Sequence, residues 1–223
     1  MVPRTASTTV LRLARGFPVV ALTGPRQSGK TTLARAAFPG KPYVSLENPD
    51  QLAYATVDAR RFLASYPDGA IIDEAQRCPD LFSYLQGLVD ERRRMGDFVL
   101  TGSQQFGLLS KITQSLAGRV GLVHLLPFSK SELAGAGMAC ASVDVALWQG
   151  AYPALYDRSL SPEDWFPSYV ATYVERDVRQ LLAVRELGLF QRFLKMCAAR
   201  CGQLLNLSSL AADCGISHVT ARQ

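Results

Sequence analysis

Residues 18 to 32 read Pro18-Val-Val-Ala-Leu-Thr-Gly-Pro-Arg-Gln-Ser-Gly-Lys-Thr-Thr32. An apolar run ending at Leu22 breaks into Gly24-Pro25-Arg26-Gln27-Ser28-Gly29-Lys30-Thr31, the spacing G-x-x-x-x-G-K-[ST]. Such a loop wraps so that successive backbone N–H groups point inward at phosphate. The helix that opens at its end offers unpaired N–H groups and a positive dipole end to the same anion. Lys30 carries a point charge to the outer phosphates, and the Thr31 hydroxyl is placed to ligate Mg²⁺, with Thr32 following as the next helix residue. The context fits the pattern. A buried-strand signature precedes the loop, and a helical stretch, Thr32 to Phe38, follows it.

About 45 residues on, Ala70-Ile-Ile-Asp73-Glu74-Ala-Gln76 is a short apolar strand ending in two acids. After a phosphate loop, Asp73 is expected to hold Mg²⁺ directly or through water. Glu74 is expected to orient and polarise a water attacking the γ-phosphate. Standing alone, the same residues would read as a strand followed by a helix start that favours acids. Phe98-Val-Leu-Thr101-Gly102-Ser103-Gln104 reads as a further parallel strand with a polar carboxyl end. In a doubly wound sheet that end faces the ligand crevice. Thr101 or Ser103 is therefore placed for the attacking water or the γ-phosphate, unless the segment is a plain turn with a capping serine. Val120 to Leu126 is a fifth strand. Arg119, at its entry, is read as a phosphate sensor, a finger acting on a neighbouring subunit, or an ion-pair arginine. His124 reads as a core or edge histidine.

The remaining elements follow from periodicity and caps. Ser7 to Arg15 reads as a short basic helix. Lys41 to Leu46 is a second strand, and Asp50 is expected to cap the helix after it. Leu81, Phe82, Leu85, Leu88 and Val89 recur at helical spacing within Pro79 to Met95. Glu91-Arg-Arg-Arg94 at its end reads as a solvated, dipole-matched terminus. Phe106 to Leu116 reads as a helix. Ser129 and Glu132 form a capping box, and Gly135-Ala-Gly137 marks a loosening of the chain. The phosphate-loop strand is expected at the middle of a five-stranded parallel sheet.

Composition bounds the rest. The chain has 223 residues, is 48% hydrophobic and 19% charged, and carries a net charge of +5. That is enough for a real core and unlike a disordered chain. No apolar run approaches the ~20 residues of a membrane span, and no signal-peptide core is visible. A cytoplasmic setting without membrane association is the expectation. Seven Lys/Arg and no acid precede Glu47, so the basic surplus lies on the phosphate-loop side. Five irregularly spaced cysteines, with no C-x-x-C, read as small apolar residues in a reducing compartment.

Beyond Gly137 the pattern turns helical. Ser161-Pro162-Glu163-Asp164 has the form of a helix start. Trp165, Tyr169 and Tyr173 form a stripe that reads as core. Phe190 to Ala199 is a further helix. Asn206 to Gln223 has the look of a helix-turn-helix, with a first helix Ser208 to Cys214, a turn at Gly215 and a second helix capped by Ser217. Such a unit either reads DNA or merely packs, and near-neutral local charge leans towards packing.

The ordered set GPRQSGKTT, AIIDEAQ, FVLTGSQQF and SLAGRV, then LLPFSKSEL, GAYPALY, YVERDV and the helix-turn-helix, resembles a specific family. It is similar to the bacterial and archaeal AAA+-type ATPases that carry a winged helix and an uncharacterised C-terminal domain. The resemblance implies an α/β P-loop NTPase fold, with ATP and Mg²⁺ as ligands. Its phosphate loop falls on Gly24, Gly29, Lys30 and Thr31, its Walker B pair on Asp73 and Glu74, and its sensor on Ser103. It also implies that the winged helix is cut short and that a further domain follows. The expected organisation is a P-loop ATPase domain over 1–137, a helical segment over 138–201, and the start of a winged helix over 202–223. ATP hydrolysis used as a conformational switch is the leading expectation, with a DNA or protein partner and a homo-oligomer also open. The alternatives are an ATP-gated DNA-binding or regulatory module with little hydrolysis, and a small-molecule kinase. A kinase would need an acceptor pocket and an arginine-bearing lid, and has less use for an Asp-Glu pair plus a sensor strand.

Overall fold

A computed structural model describes residues 2–103, 115–158, 160–173 and 187–222. The chain divides into two compact units, Met1–Pro162 and Glu163–Gln223.

The first unit is built on a five-stranded sheet of β1 (Val19–Thr23), β2 (Tyr43–Ser45), β3 (Ile71–Asp73), β4 (Phe98–Thr101) and β5 (Val120–His124). All pairings are parallel, in the order β2-β3-β4-β1-β5. Every residue of β1 and β4 is buried. One face joins Val19, Ala21, Phe98 and Leu100 to a core under Phe62, Phe82 and Leu85. The other joins Val20, Leu22 and Val99 to Val10, Leu33 and Ala34. Burial on both faces explains why these strands are apolar throughout instead of alternating.

The phosphate-loop strand is not the middle one. β4 holds that place, and β1 lies between β4 and β5. Every crossover is long enough to reach any neighbouring slot, so chain order does not dictate strand order. As a result, the end of β4 stands between the loop that follows β1 and Asp73 at the end of β3.

Helices α1 (Ala6–Ala14), α2 (Lys30–Ala37), α3 (Pro49–Val57), α4 (Ala59–Ala64), α5 (Leu81–Arg92) and α6 (Lys130–Gly135) belong to this unit. The cap of α3 differs from expectation. Asn48 is the cap, its side chain accepting from the N–H of Asp50 at 2.9 Å and of Gln51 at 3.2 Å. Pro49 fits the first helical position because it has no N–H to satisfy, which moves the cap one residue before it. At the end of α5, Arg92 and Arg94 both pair with Asp97, so two of the three arginines brace a turn. The capping box is present in full, with Ser129 and Glu132 exchanging bonds at the start of α6. Most of the helix expected over Phe106–Leu116 lies outside the described residues. Helices α7 (Val143–Gln149) and α8 (Pro153–Asp157) complete the unit.

Helix α9 (Pro162–Tyr173) leads into the second unit, which also holds α10 (Leu187–Ala199), α11 (Leu207–Cys214) and α12 (His218–Arg222). Trp165 is buried and stacks on Tyr169, with ring centroids 4.7 Å apart. Asn206 caps α11, Gly215 ends it in the left-handed conformation, and Ser217 accepts from the Thr220 N–H at 3.0 Å to start α12. Among the described residues no helix is long and apolar enough to cross a membrane. All five cysteines are free. No group of three or more His, Cys, Asp or Glu among the described residues is arranged to hold a metal ion by itself.

Candidate nucleotide site

The carboxyl ends of β1, β3 and β4 meet at one edge of the sheet. Thr23 ends β1, and the loop of residues 24–29 follows it into α2. Gly24 sits at φ +140°, where an added Cβ would lie 2.1 Å from the Leu125 carbonyl oxygen. Only glycine fits there, so the loop can start with its backbone packed against the chain leaving β5. Gln27 adopts φ +59° without being glycine. Gly29 begins α2 in the left-handed region. No side chain caps α2 and no acid lies in its first turn. Its leading N–H groups are therefore available to an anion.

Lys30 is buried at the first position of α2. Its ammonium donates to the carbonyls of Gly24 at 3.1 Å and Pro25 at 2.8 Å, so its charge sits within the loop. Pro25 and Arg26 are half-buried, Gln27 and Thr32 are exposed, and Ser28 is buried.

Asp73 is buried at the end of β3. Its carboxylate accepts from the Thr31 hydroxyl at 3.1 Å to each oxygen, from the Tyr43 hydroxyl at 2.9 Å, and from the Thr101 hydroxyl. Strand register explains this ring. Ile72 pairs with Leu100, and Leu22 pairs with Thr101, so Thr101 stands between the loop strand and Asp73. Burial pushes the Tyr43 phenol up to about 12, helped by its hydrogen bond to Asp73 and by the Asp73 charge. Tyr43 therefore remains a donor at neutral pH. The Arg35 guanidinium lies over its ring, 5.0 Å from the centroid.

Glu74 follows in the left-handed region at φ +55°, and a 3₁₀ turn, Ala75–Arg77, comes next. A non-glycine residue held there stores strain, a feature that concentrates at functional sites. Ser103 donates to Glu74 Oε2 at 3.2 Å, and the Gln76 amide donates to the same oxygen. The two hydroxyls at the end of β4 thus divide: Thr101 serves Asp73, and Ser103 serves Glu74.

The structure brings Lys30, Thr31, Asp73, Glu74 and Ser103 to one edge. Arg119 is not among them. It precedes β5, whose register with β1 sets Val120 beside Val19 and His124 beside Thr23. Arg119 thus lies at the opposite end of the strands from the loop. There it grips Asp90 of α5 with a two-pronged pair, Nε to Oδ1 at 2.6 Å and Nη2 to Oδ2 at 2.8 Å. This contact raises the Arg119 pKa and lowers that of Asp90. His124 is exposed, with Nδ1 3.3 Å from the Thr23 hydroxyl.

Sequence reasoning did not single out Tyr43, Gln76 or Arg4. A polar residue on the strand beside the Asp-Glu strand would have been the signal for Tyr43. An amide two residues after Glu74 would have been the signal for Gln76. Arg4 leaves none, because its partners are 24 and more residues away.

The residues fit a magnesium nucleotide. Among the described residues, the buried side-chain polar atoms without a hydrogen-bond partner are Ser28 Oγ in the loop and Gln76 Oε1 beside Glu74. A hydroxyl and a carboxylate 3.1 Å apart, Thr31 and Asp73, are hard oxygen ligands of the kind Mg²⁺ takes. A cavity of about 120 Å³ opens beside Gly29 and Thr32, walled by Val2, Leu33, Phe128 and Pro153.

Residues 16–134 match the family described as AAA domain, and residues 140–223 match one described as domain of unknown function (DUF8612). Over 99% of its length the chain is 35% identical to the uncharacterized proteins Mb2031c of Mycobacterium bovis and Rv2008c of Mycobacterium tuberculosis. It covers 49% of each, so the chain spans about half the length of the curated relatives it matches. In fold it is similar to the Walker-type ATPase PABY2304 of Pyrococcus abyssi. That likeness has a TM-score of 0.53 at 13% identity, over 96% of this chain and 89% of that one. With the family match spanning more than half of its residues, the chain belongs to the AAA domain family.

Proposed function

We propose that the chain binds ATP with Mg²⁺ and hydrolyses it, as an AAA+-type ATPase that uses the reaction as a conformational switch. The observation that carries this is the pairing of an uncapped loop–helix start with two separately held carboxylates, Asp73 and Glu74. The loop amides and Lys30 bind the phosphates, and the Lys30 ammonium exchanges the Gly24 and Pro25 carbonyls for phosphate oxygens. Thr31 and Asp73 hold Mg²⁺, which supplies neutralisation of the charge that develops on the transferred phosphoryl group. Glu74 orients the attacking water and takes its proton. Ser103 and Gln76 both hold Glu74 through Oε2, and Oε1 is the oxygen assigned to the water. We assign this chemistry to residues 1–137 and its mechanical readout to the helices that follow.

Isothermal titration calorimetry with ATP and Mg²⁺ tests the binding step. The unaltered chain should bind. Lys30→Ala should weaken binding by about 100-fold or more, since it removes a charge from at least two charge-assisted bonds. Unchanged affinity in that variant would refute the assignment.

A further inference from the structure

Arg4 lies before the first helix, far from any recognised motif, yet its side chain is only 9% exposed. Four hydrogen bonds use its planar fork. Nε donates to Glu132 Oε1 at 3.2 Å and Nη1 to the Ser28 carbonyl at 2.8 Å. Nη2 donates to the carbonyls of Leu126 at 2.6 Å and Pro127 at 3.3 Å. The guanidinium also lies over the Phe128 ring, 4.9 Å from its centroid. Glu132 is equally saturated. Beyond Arg4 it accepts from the Thr5 N–H at 2.7 Å, the Thr5 hydroxyl at 3.0 Å and the Ser129 N–H at 2.8 Å.

One of these bonds reaches the phosphate loop itself. The Ser28–Gly29 peptide is planar and trans, so its C=O and N–H point in opposite directions. Fixing the Ser28 carbonyl on Arg4 therefore fixes the Gly29 N–H on the other side of the peptide, away from Arg4. The Gly29 N–H is one of the amides assigned above to phosphate. We propose that Arg4 is a positioning residue for the phosphate loop. It aims the Gly29 amide and ties the loop to Glu132 and to the β5–α6 connection. The proposal rests on the reading of residues 24–31 as the nucleotide site. Lysine cannot replace it, since an ammonium lacks the planar fork that spans these separate acceptors.

The test compares the full chain with Arg4→Lys and Thr5→Val. The second variant removes a hydroxyl bond to Glu132 but leaves the Ser28 carbonyl held. Two readouts are taken below the melting temperatures of all three: affinity for ATP with Mg²⁺, and hydrogen–deuterium exchange of residues 26–31 without nucleotide. In Arg4→Lys, affinity should fall about tenfold and loop exchange should quicken by a similar factor, the loss of one charge-assisted bond. Thr5→Val should match the unaltered chain in both. The proposal is overturned if Arg4→Lys keeps normal affinity and exchange, if both variants shift alike, or if Arg4→Lys no longer folds, which would make Arg4 a residue of the fold alone. If the unaltered chain binds no nucleotide, the reading of the site fails, and the exchange comparison still decides whether Arg4 sets the loop.

Discussion

At the end of β3 the Asp73 carboxylate accepts from the hydroxyls of Thr31, Tyr43 and Thr101. Neutral donors satisfy a buried carboxylate without cancelling its charge, and a divalent cation needs that charge in place. Glu132 is held differently, at the other end of its chemistry. Burial alone would raise its pKa, but the N–H groups of Ser129 and Thr5, the Thr5 hydroxyl and the Arg4 charge outweigh it and hold the carboxyl below its ordinary value. A carboxyl with a depressed folded pKa stabilises the fold above its unfolded value, ~4.3 for Glu, and loses that contribution as pH falls through the folded one. The melting temperature should therefore drop progressively below about pH 4.3. Glu132→Gln should melt lower at neutral pH and show a flatter acid limb by circular dichroism. An unchanged acid limb would exclude Glu132 as a source of the dependence. Lys30, Thr31, Asp73 and Glu74 are legible in the sequence as residues of one sheet end, because they lie in two short motifs that follow apolar strands. Tyr43 and Arg4 are not, because each acts across a tertiary contact that no local pattern encodes.

Among the elements, the five parallel strands are legible because burial on both faces leaves unbroken apolar runs flanked by turns. Their lateral order is not, because β4 enters between β3 and β1 through a crossover whose path is set by packing. That insertion sends Thr101 to Asp73 and Ser103 to Glu74. The cap of α3 shows the same limit on a smaller scale. Asn48 and Asp50 are both good caps by composition, and Pro49 between them decides in favour of Asn48. Thermal or denaturant unfolding should register this. Asn48→Ala should cost about 1 kcal/mol, and Asp50→Ala much less. Equal losses, or the reverse ranking, would contradict the cap assignment.

At the scale of the molecule, the first unit contains the whole candidate site, and the second is helical. Arg119 pairs with Asp90 at the sheet end remote from the phosphate loop. The chain spans about half the length of the curated relatives it resembles. Phosphate release tests whether this site hydrolyses ATP with Glu74 as its base. Wild-type chain and Glu74→Gln are compared at saturating ATP and Mg²⁺, with nucleotide affinity measured in parallel. The wild-type chain should release phosphate, and Glu74→Gln should do so at a rate lower by about 10²–10⁴-fold with affinity retained. Equal rates in the two chains, or none from a wild-type chain that binds ATP, would contradict it.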